Sequence, residues 1–178
     1  MNYTTQNTLL LNNLLSFYDK DDNIDKILPI INGESTISLR LVDWFVTNYS
    51  KKNYTIIKKG AKRFKVYTDY KLKLKAYSKK RFDPFCRWER ITIPYKQNIS
   101  IQTTIGQLNF FRWLLENNIV EFIEEHLDII NQDMNKRNST SKNKLKNKNK
   151  TRKKREELSI LASKSIKKEQ VKIIVEFK

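Results

Sequence analysis

The pattern of apolar and polar positions predicts three helices in the first fifty residues. Leucine and phenylalanine residues recur at helical spacing over about residues 6–18, which gives that segment one apolar face. A shorter helix is predicted from Asn23 to about Pro29. The hydroxyl of Ser35 or Thr36 can cap a third helix, whose apolar residues share one face and make it a strong candidate for the core.

Short runs of β-branched and aromatic residues predict strands in the middle of the chain. Residues Tyr54–Ile57 and Phe64–Tyr67 flank a turn that contains Gly60, which indicates a β-hairpin. Two further strands are predicted over Trp88–Ile93 and Ile99–Thr103. We expect a short antiparallel sheet from these segments.

The segment Lys71–Tyr77 fits two periods. Its leucines and lysines alternate as in a strand, whereas its larger apolar residues recur as on a helix. Leucine, lysine and alanine are good helix formers, which favours the helix. In that case Leu72 and Ala76 are left to pack inward, and Asp83-Pro84 must end the helix.

Two helices with clear start signals follow the last predicted strand. Thr104 and Gln107 form a capping-box pattern, and Asn118 with Glu121 gives a looser version of it. The apolar residues of both helices fall on one face each, which predicts an αα-hairpin. The second helix, residues 119–134, carries acidic residues on its polar face, so we expect it to be repelled by DNA and to meet a protein partner instead.

The fold class that this pattern predicts is α+β. A small mixed domain over residues 1–135 would contain N-terminal helices, a short antiparallel sheet and the αα-hairpin. Residues 136–170 hold too few apolar residues to offset the entropy of ordering, so we expect a basic low-complexity tail or linker that is mostly disordered. Residues 171–178 alternate as a strand and could add to a sheet edge on this or another molecule.

Charge is distributed unevenly along the chain. The total of 36 basic and 19 acidic residues gives a net charge of +17. Residues 51–96 hold 16 basic and 3 acidic residues, and residues 136–178 hold 16 basic and 4 acidic residues. Two basic blocks of +13 and +12 exceed what solubility requires, and in the first block aromatic residues are interleaved with the lysines and arginines. This composition favours binding to a polyanion, with rings that stack on bases or anchor the sheet.

The candidate nucleic-acid-binding residues are the cations of both blocks. They are Lys51, Lys52, Lys58, Lys59, Lys62, Arg63, Lys65, Lys71, Lys75, Lys79, Lys80, Arg81, Arg87, Arg90, Arg152, Lys153, Lys154 and Arg155. Arg87 and Arg90 stay undecided, because they flank Trp88 in a segment expected to enter the core and could pair with Asp83 and Glu89 instead.

Catalytic chemistry has thin support in the sequence. Cys86 and His126 are single residues of their kind, and no third group is evident that would orient them as a nucleophile and base. The three glycines do not form a phosphate-binding loop, and Glu89 lacks the lysine spacing of a metal nuclease. We therefore expect no enzyme, no cofactor and no metal.

Three stretches resemble a protein that recurs in nucleocytoplasmic large DNA viruses, the group that includes mimivirus-like and algal viruses. They are "SLRLVDWFVTNYSKKN", "FKVYTDYKLKLKAYSKKRFDPFCRWERI" and "TTIGQLNFFRWLLENNIVEFIEEHLDIINQDMN". The resemblance implies a large-DNA-virus protein without an established enzymatic activity, and residence in the virion or the viral factory is a reasonable extension of it. It transfers no catalytic residue.

These observations lead to an expected function. We expect a viral DNA-associated protein that binds phosphates without reading sequence, in the virion or in the viral factory of the host cytoplasm, with the nucleus as an alternative. The rival interpretations are a virion interaction protein that docks on acidic viral partners and an accessory subunit of viral transcription. The residues do not separate DNA from RNA. No apolar run is long enough to span a bilayer, and the N-terminus lacks the features of a signal peptide, so we expect no membrane association.

Overall fold

The protein combines eight α-helical segments with two small antiparallel sheets in the part of the chain that the structure describes. The computed structural model describes residues 5–20, 22–59, 62–96, 99–146 and 168–170. The helices are α1 Gln6–Tyr18, α2 Asn23–Asn32, α3 Leu39–Trp44, α4 Ser50–Lys52, α5 Val66–Arg81, α6 Ile105–Glu116, α7 Ile119–Glu125 and α8 Leu127–Lys146. The strands are β1 Ile56–Lys59, β2 Lys62–Lys65, β3 Ile91–Pro94, β4 Ile99–Thr103 and β5 Lys168–Gln170. This confirms the α+β class.

The first two helices show where a proline can be tolerated. Helix α1 has the predicted bounds and is capped by Thr5, whose side chain accepts a hydrogen bond from the N–H of Thr8. The prediction that α2 ends near Pro29 is wrong, because the helix continues to Asn32 and ends at Gly33 with φ 75°. Apolar residues on both sides of Pro29 are buried, and that burial holds the helix together across the missing hydrogen bond.

The third helical region is longer than the sequence pattern indicated. Neither Ser35 nor Thr36 caps it: the Ser38 hydroxyl accepts the Leu41 N–H at 3.1 Å, while Ser35 Oγ accepts the Ile37 N–H. Helix α3 passes into a π-helical turn over Phe45–Tyr49 and then into α4. Such turns widen a helix locally and are frequent near functional sites.

The strands form two separate sheets instead of one. Strands β1 and β2 pair as the predicted hairpin, in which Ile57 lies opposite Phe64. Strands β3 and β4 pair antiparallel, and β5 adds to the free edge of β4. Strand β5 lies within residues 136–170, which were predicted to be a mostly disordered tail. Residues 171–178, where a terminal strand was predicted, lie outside the described residues, so that strand stays a prediction.

Residues Lys71–Tyr77 are helical and belong to α5, as the propensity argument predicted. The predicted packing of this helix is wrong, because Leu72 is 61 % exposed and Ala76 is also exposed. The side of α5 that packs against the core carries Val66, Tyr70 and Leu74. The helix is kinked near its end, where Ser78 has φ 60°.

The αα-hairpin is present, but its second helix is interrupted. Helix α6 starts at Thr104, whose hydroxyl accepts the Gln107 N–H at 3.1 Å. Asn118 does not cap α7 with its side chain and instead takes a left-handed conformation. A break at His126 separates α7 from α8, and α8 continues through residues 136–146, which the sequence had assigned to the tail.

The core is lined by aliphatic and aromatic side chains from both halves of the described chain. Phe82, Phe110 and Trp113 pack against one another with ring centroids 5.2 to 5.7 Å apart. Trp88, which was expected to enter the core, is 42 % exposed. Gly106 allows α6 to approach the end of α5, since a Cβ at this position would lie 2.9 Å from the carbonyl oxygen of Lys80.

Candidate nucleic-acid interface

The outer face of the hairpin places cations directly opposite each other. Lys58 lies opposite Arg63 in the register of the two strands, and both side chains are exposed. Lys65 is exposed on the same face, opposite Ile56. Like charges in facing positions destabilise an antiparallel pair. A polyanion that lies on this face would relieve the repulsion.

The exposed cations of this region lack carboxylate partners in the described part of the chain. Lys58, Arg63, Lys71 and Lys75 make no ion pair with any described residue. On α5, Lys71 and Lys75 are one helical turn apart and both exposed. Because no described carboxylate neutralises their charge, these residues form the part of the basic block best suited to contact phosphate.

Two lysines lie over tyrosine rings where the hairpin joins α4 and α5. Lys65 Nζ is 5.3 Å from the centroid of Tyr54, and Lys51 Nζ is 5.6 Å from the centroid of Tyr67. The four side chains line a small cleft of about 50 Å³, together with the hydroxyl-bearing Ser50, Thr55 and Thr68. The cleft is too small to enclose a base, so a ligand here would lie on the surface.

Tyr54 has a backbone conformation that is costly for an aromatic residue. It follows the end of α4 with φ 46°, and the N–H of Thr55 returns to the carbonyl of Ser50 at 3.2 Å. This hydrogen bond defines a Schellman-type helix end, whose left-handed position favours glycine. A left-handed L-residue costs about 1–2 kcal/mol, and Tyr54 gains little burial in return because it is 62 % exposed.

At two other helix ends the left-handed position is occupied by a residue that tolerates it well. Gly33 follows α2 with φ 75°, and Asn118 follows α6 with φ 52°. Glycine and asparagine are the residues that tolerate this conformation best. Tyr54 is the bulky exception among the three, and local backbone chemistry does not account for it.

Of the three cations after the kink in α5, Arg81 makes hydrogen bonds with the body of the protein. Arg81 Nη1 donates to Gln6 Oε1 at 3.3 Å, and its backbone carbonyl accepts from Asn109 Nδ2. Lys79 and Lys80 are exposed. Lys79 also lies close enough to Asp43 to favour its charged form.

Arg87 forms an ion pair with Asp83 within the fold. Its Nε and Nη2 donate to the two carboxylate oxygens of Asp83 at 2.8 Å each, and Asp83 is nearly fully buried. Asp83 also accepts the N–H of Phe85 at 3.1 Å. Of the two undecided arginines, Arg87 is therefore a structural residue, whereas Arg90 is exposed and donates to Gln102 at 3.0 Å.

Lys52 and the acidic helix meet within this chain. Lys52 Nζ lies 3.4 Å from Asp133 Oδ1, and Trp44 Nε1 donates to Asp133 Oδ2 at 3.1 Å. The predicted partner surface on α7 and α8 thus uses one of its carboxylates internally. Glu121, Glu124, Glu125 and Asp128 remain exposed.

Asp43 is a partly buried carboxyl close enough to Asp83 and Arg87 to interact with their charges. Burial raises its pKa from the ordinary value of 3.8 to about 6, and repulsion from Asp83 adds to the rise. Burial likewise raises the pKa of Tyr70 to about 12, with the nearby charges of Asp43 and Asp83 acting in the same direction. The interior next to Arg87 is thus unfavourable for further negative charge, unlike the hairpin face.

The residues considered for catalysis lie in different settings. Cys86 is buried, and burial raises the pKa of its thiol. The ring of His126 stacks on Phe122 with centroids 4.2 Å apart, and its Nδ1 lies 3.0 Å from the Phe122 carbonyl oxygen. No group of three or more histidine, cysteine, aspartate or glutamate side chains suited to a metal occurs among the described residues.

The structure brings together only part of the predicted set. Lys51, Lys58, Arg63, Lys65, Lys71 and Lys75 belong to the hairpin and the adjoining helices. The side chains of Lys59 and Lys62, and all of Arg152, Lys153, Lys154 and Arg155, lie outside the described residues. Sequence reasoning missed Tyr54, Ile56 and Leu72 as exposed apolar neighbours of these cations, because each falls in a pattern that predicts burial.

Comparisons with known proteins identify relatives but no activity. A family model described as a family of unknown function, DUF7197, matches residues 2–176. An uncharacterized protein of Acanthamoeba polyphaga mimivirus is 45 % identical over 154 residues, which is 81 % of this chain and 59 % of that protein. The chain therefore spans less than two thirds of the length of this relative. No solved structure matches the chain. The predicted resemblance to a giant-virus protein is confirmed.

In the described residues, no helix combines the length and apolar character that crossing a bilayer requires.

Proposed function

From the premise that the chain belongs to DUF7197, a family of unknown function, and has a mimivirus relative, we propose that it is a non-enzymatic viral protein that binds nucleic acid through phosphates. The observation that supports this most is the facing pair Lys58 and Arg63, exposed on the hairpin without a carboxylate partner among the described residues. This pair does not stabilise the fold, because the two positive charges repel each other. A bound polyanion would attract both cations and offset their mutual repulsion.

The interface extends from the hairpin onto α5. Lys51 and Lys65 lie at the base of the hairpin, and Lys71 and Lys75 continue on the exposed side of the helix. Contacts of this kind are independent of sequence, since phosphates are the same at every base pair. The residence that fits such a protein is the virion or the cytoplasmic viral factory, with the nucleus as an alternative.

The test is a salt titration of binding with the full chain and a labelled mixed-sequence duplex. The logarithm of the association constant should fall linearly with the logarithm of salt concentration. The Lys58→Ala/Arg63→Ala variant should reduce the magnitude of that slope by about 2, since each lost phosphate contact removes about 0.9. Binding to unrelated duplexes should have similar affinity.

A matched control separates local contacts from net charge. The Lys20→Ala/Arg40→Ala variant removes two exposed cations outside the basic block and should keep the wild-type slope. Absence of binding at low salt, or a control that loses as much slope as the hairpin variant, would refute the proposal.

A second candidate function is docking to a viral protein through α7 and α8. It is favoured by Ile129, which is 58 % exposed beside the acidic Glu125 and Asp128. An apolar residue rimmed by charges is common at protein interfaces. A partner set that survives nuclease treatment and is lost in an Ile129→Asp variant would support this role over DNA binding.

A further inference from the structure

The outer face of the hairpin presents apolar side chains between its cations. Tyr54 and Ile56 are exposed on the first strand and the turn before it, beside Lys58, Arg63 and Lys65. Phosphate contacts alone require cations and no ring. The exposed ring and its neighbour therefore offer a surface for something other than the sugar-phosphate backbone.

The arrangement around Tyr54 fits an unpaired nucleotide. Lys65 lies 5.3 Å from the ring centroid, so a base stacked on the exposed part of the ring would have a cation close to its own phosphate. Lys51 is held over Tyr67 at the other side of the shared cleft, where it can meet a neighbouring phosphate. Stacking on aromatic rings in a basic groove is the usual way in which proteins hold single strands without reading sequence.

The surface continues along α5. Thr68 lines the cleft, and Leu72 follows it by one helical turn, 61 % exposed between Lys71 and Lys75. Long side chains on a helix lean toward its N-terminus, which directs Leu72 toward the cleft. Tyr54, Ile56 and Leu72 are thus three exposed apolar residues, and each has cations next to it in the hairpin or in α5.

We propose that the exposed apolar residues Tyr54, Ile56 and Leu72 make single-stranded nucleic acid the preferred ligand of the interface. The inference rests on the proposed phosphate binding and adds the substrate class. A duplex keeps its bases stacked on one another and offers only phosphates to the lysines, whereas a single strand offers both phosphates and base faces. The backbone conformation of Tyr54 supports the assignment, since residues in costly left-handed conformations cluster at functional sites.

The experiment compares oligo-dT with a mixed-sequence duplex of the same length, using the full chain and four variants. Wild-type protein should bind oligo-dT more tightly than duplex at the same salt concentration. Tyr54→Ala should weaken oligo-dT binding by about tenfold and leave duplex binding unchanged. Tyr54→Phe keeps the ring and should retain the preference. Lys58→Ala/Arg63→Ala should weaken both ligands.

The outcomes separate this inference from the function on which it rests. If neither ligand binds at low salt, the proposed function fails. If both bind but Tyr54→Ala leaves the ratio of the two affinities unchanged, the phosphate interface stands and the single-strand preference is wrong. Thermal unfolding of each variant checks folding, and a Tyr54→Gly variant, which suits the left-handed backbone, should remain folded and weaken oligo-dT binding by about tenfold, as Tyr54→Ala does.

Discussion

Two arginines from the same basic block, Arg63 and Arg87, lie in opposite environments. Arg63 lies on the hairpin opposite Lys58, exposed and without a carboxylate partner among the described residues. Arg87 makes two hydrogen bonds with the buried Asp83 and lies 5.0 Å from the ring centroid of Phe85. Charge density along the sequence does not distinguish them. The two arginines differ because a carboxylate of the fold neutralises Arg87 and no described carboxylate neutralises Arg63. Cations of the second kind are the ones available to a polyanion.

The same contrast holds for the aromatic residues of the block. Trp113 is buried and donates its indole N–H to Asp69 Oδ2 at 2.6 Å, whereas Tyr54 is exposed beside Lys65. Buried rings with satisfied polar atoms stabilise the fold. An exposed ring held at a backbone cost contributes little to the fold, and this is why we propose a ligand for Tyr54.

The largest effect is expected from removing Arg87. Arg87→Ala leaves the buried Asp83 carboxylate without its cation, and this should lower the free energy of unfolding by about 3 kcal/mol. Urea denaturation measures the change. Arg90→Ala is the matched control and should stay within about 0.5 kcal/mol of wild type, because Arg90 is exposed.

Binding measurements on Arg87→Ala test whether Arg87 also contacts phosphate. Since Asp83 already neutralises Arg87, the salt slope of Arg87→Ala should equal that of wild type at a temperature where both are folded. A reduced slope would mean that Arg87 also contacts phosphate.

A smaller effect of opposite sign is expected at Asp43. Its pKa in the folded protein, about 6, exceeds the ordinary value of 3.8, so the folded state favours the protonated form. The stability contributed by this proton is fully present below about pH 4 and is lost as the pH rises through 6. Asp43→Asn should therefore match wild type at pH 4 and be more stable by about 2 kcal/mol at pH 7.

Urea denaturation over this pH range tests the assignment. A difference between Asp43→Asn and wild type that is independent of pH would show that the carboxyl does not titrate between 4 and 6. Asp128→Asn, at an exposed position on α8, serves as the control.

The backbone at Tyr54 gives the next prediction in size. Tyr54→Gly should be more stable than Tyr54→Ala by about 1 kcal/mol, because alanine keeps the left-handed penalty and glycine removes it. Thermal unfolding of the two variants measures the difference. In the interior of a helix the order would be reversed, so an alanine variant more stable than the glycine variant would contradict the left-handed conformation.

Much of the fold could be predicted because its signals are local. The hydroxyl of Thr104 begins α6 as the sequence indicates, and strand β4 has the predicted bounds. Helix propensity correctly predicted that Lys71–Tyr77 form a helix and not a strand. Each of these depends on a few neighbouring residues, which the sequence shows directly.

The remaining features depend on contacts between distant segments. Trp88 is a large apolar residue that was expected in the core, yet it is 42 % exposed, whereas Trp113 and Phe82 are buried and pack against each other. Leu72 is exposed because α5 turns Tyr70 and Leu74 inward. The candidate interface followed from charge, whereas the pairing of Lys52 and Arg87 with carboxylates, and the exposure of Tyr54, became evident only from the fold.

The smallest effect is expected from reversing the charge of Arg63. Arg63→Glu places a carboxylate opposite Lys58 and replaces repulsion by attraction, so the free energy of unfolding should rise by about 0.5 kcal/mol. The same change should reduce the magnitude of the salt slope for duplex binding, because one phosphate contact is lost and an anion is introduced. Urea denaturation and a salt titration on one preparation measure both effects. An Arg90→Glu variant, at an exposed position on the edge of the other sheet, should change neither quantity by as much. If Arg63→Glu weakened folding and left binding intact, Arg63 would belong with Arg87 among the structural residues, and the division between the two arginines would be wrong.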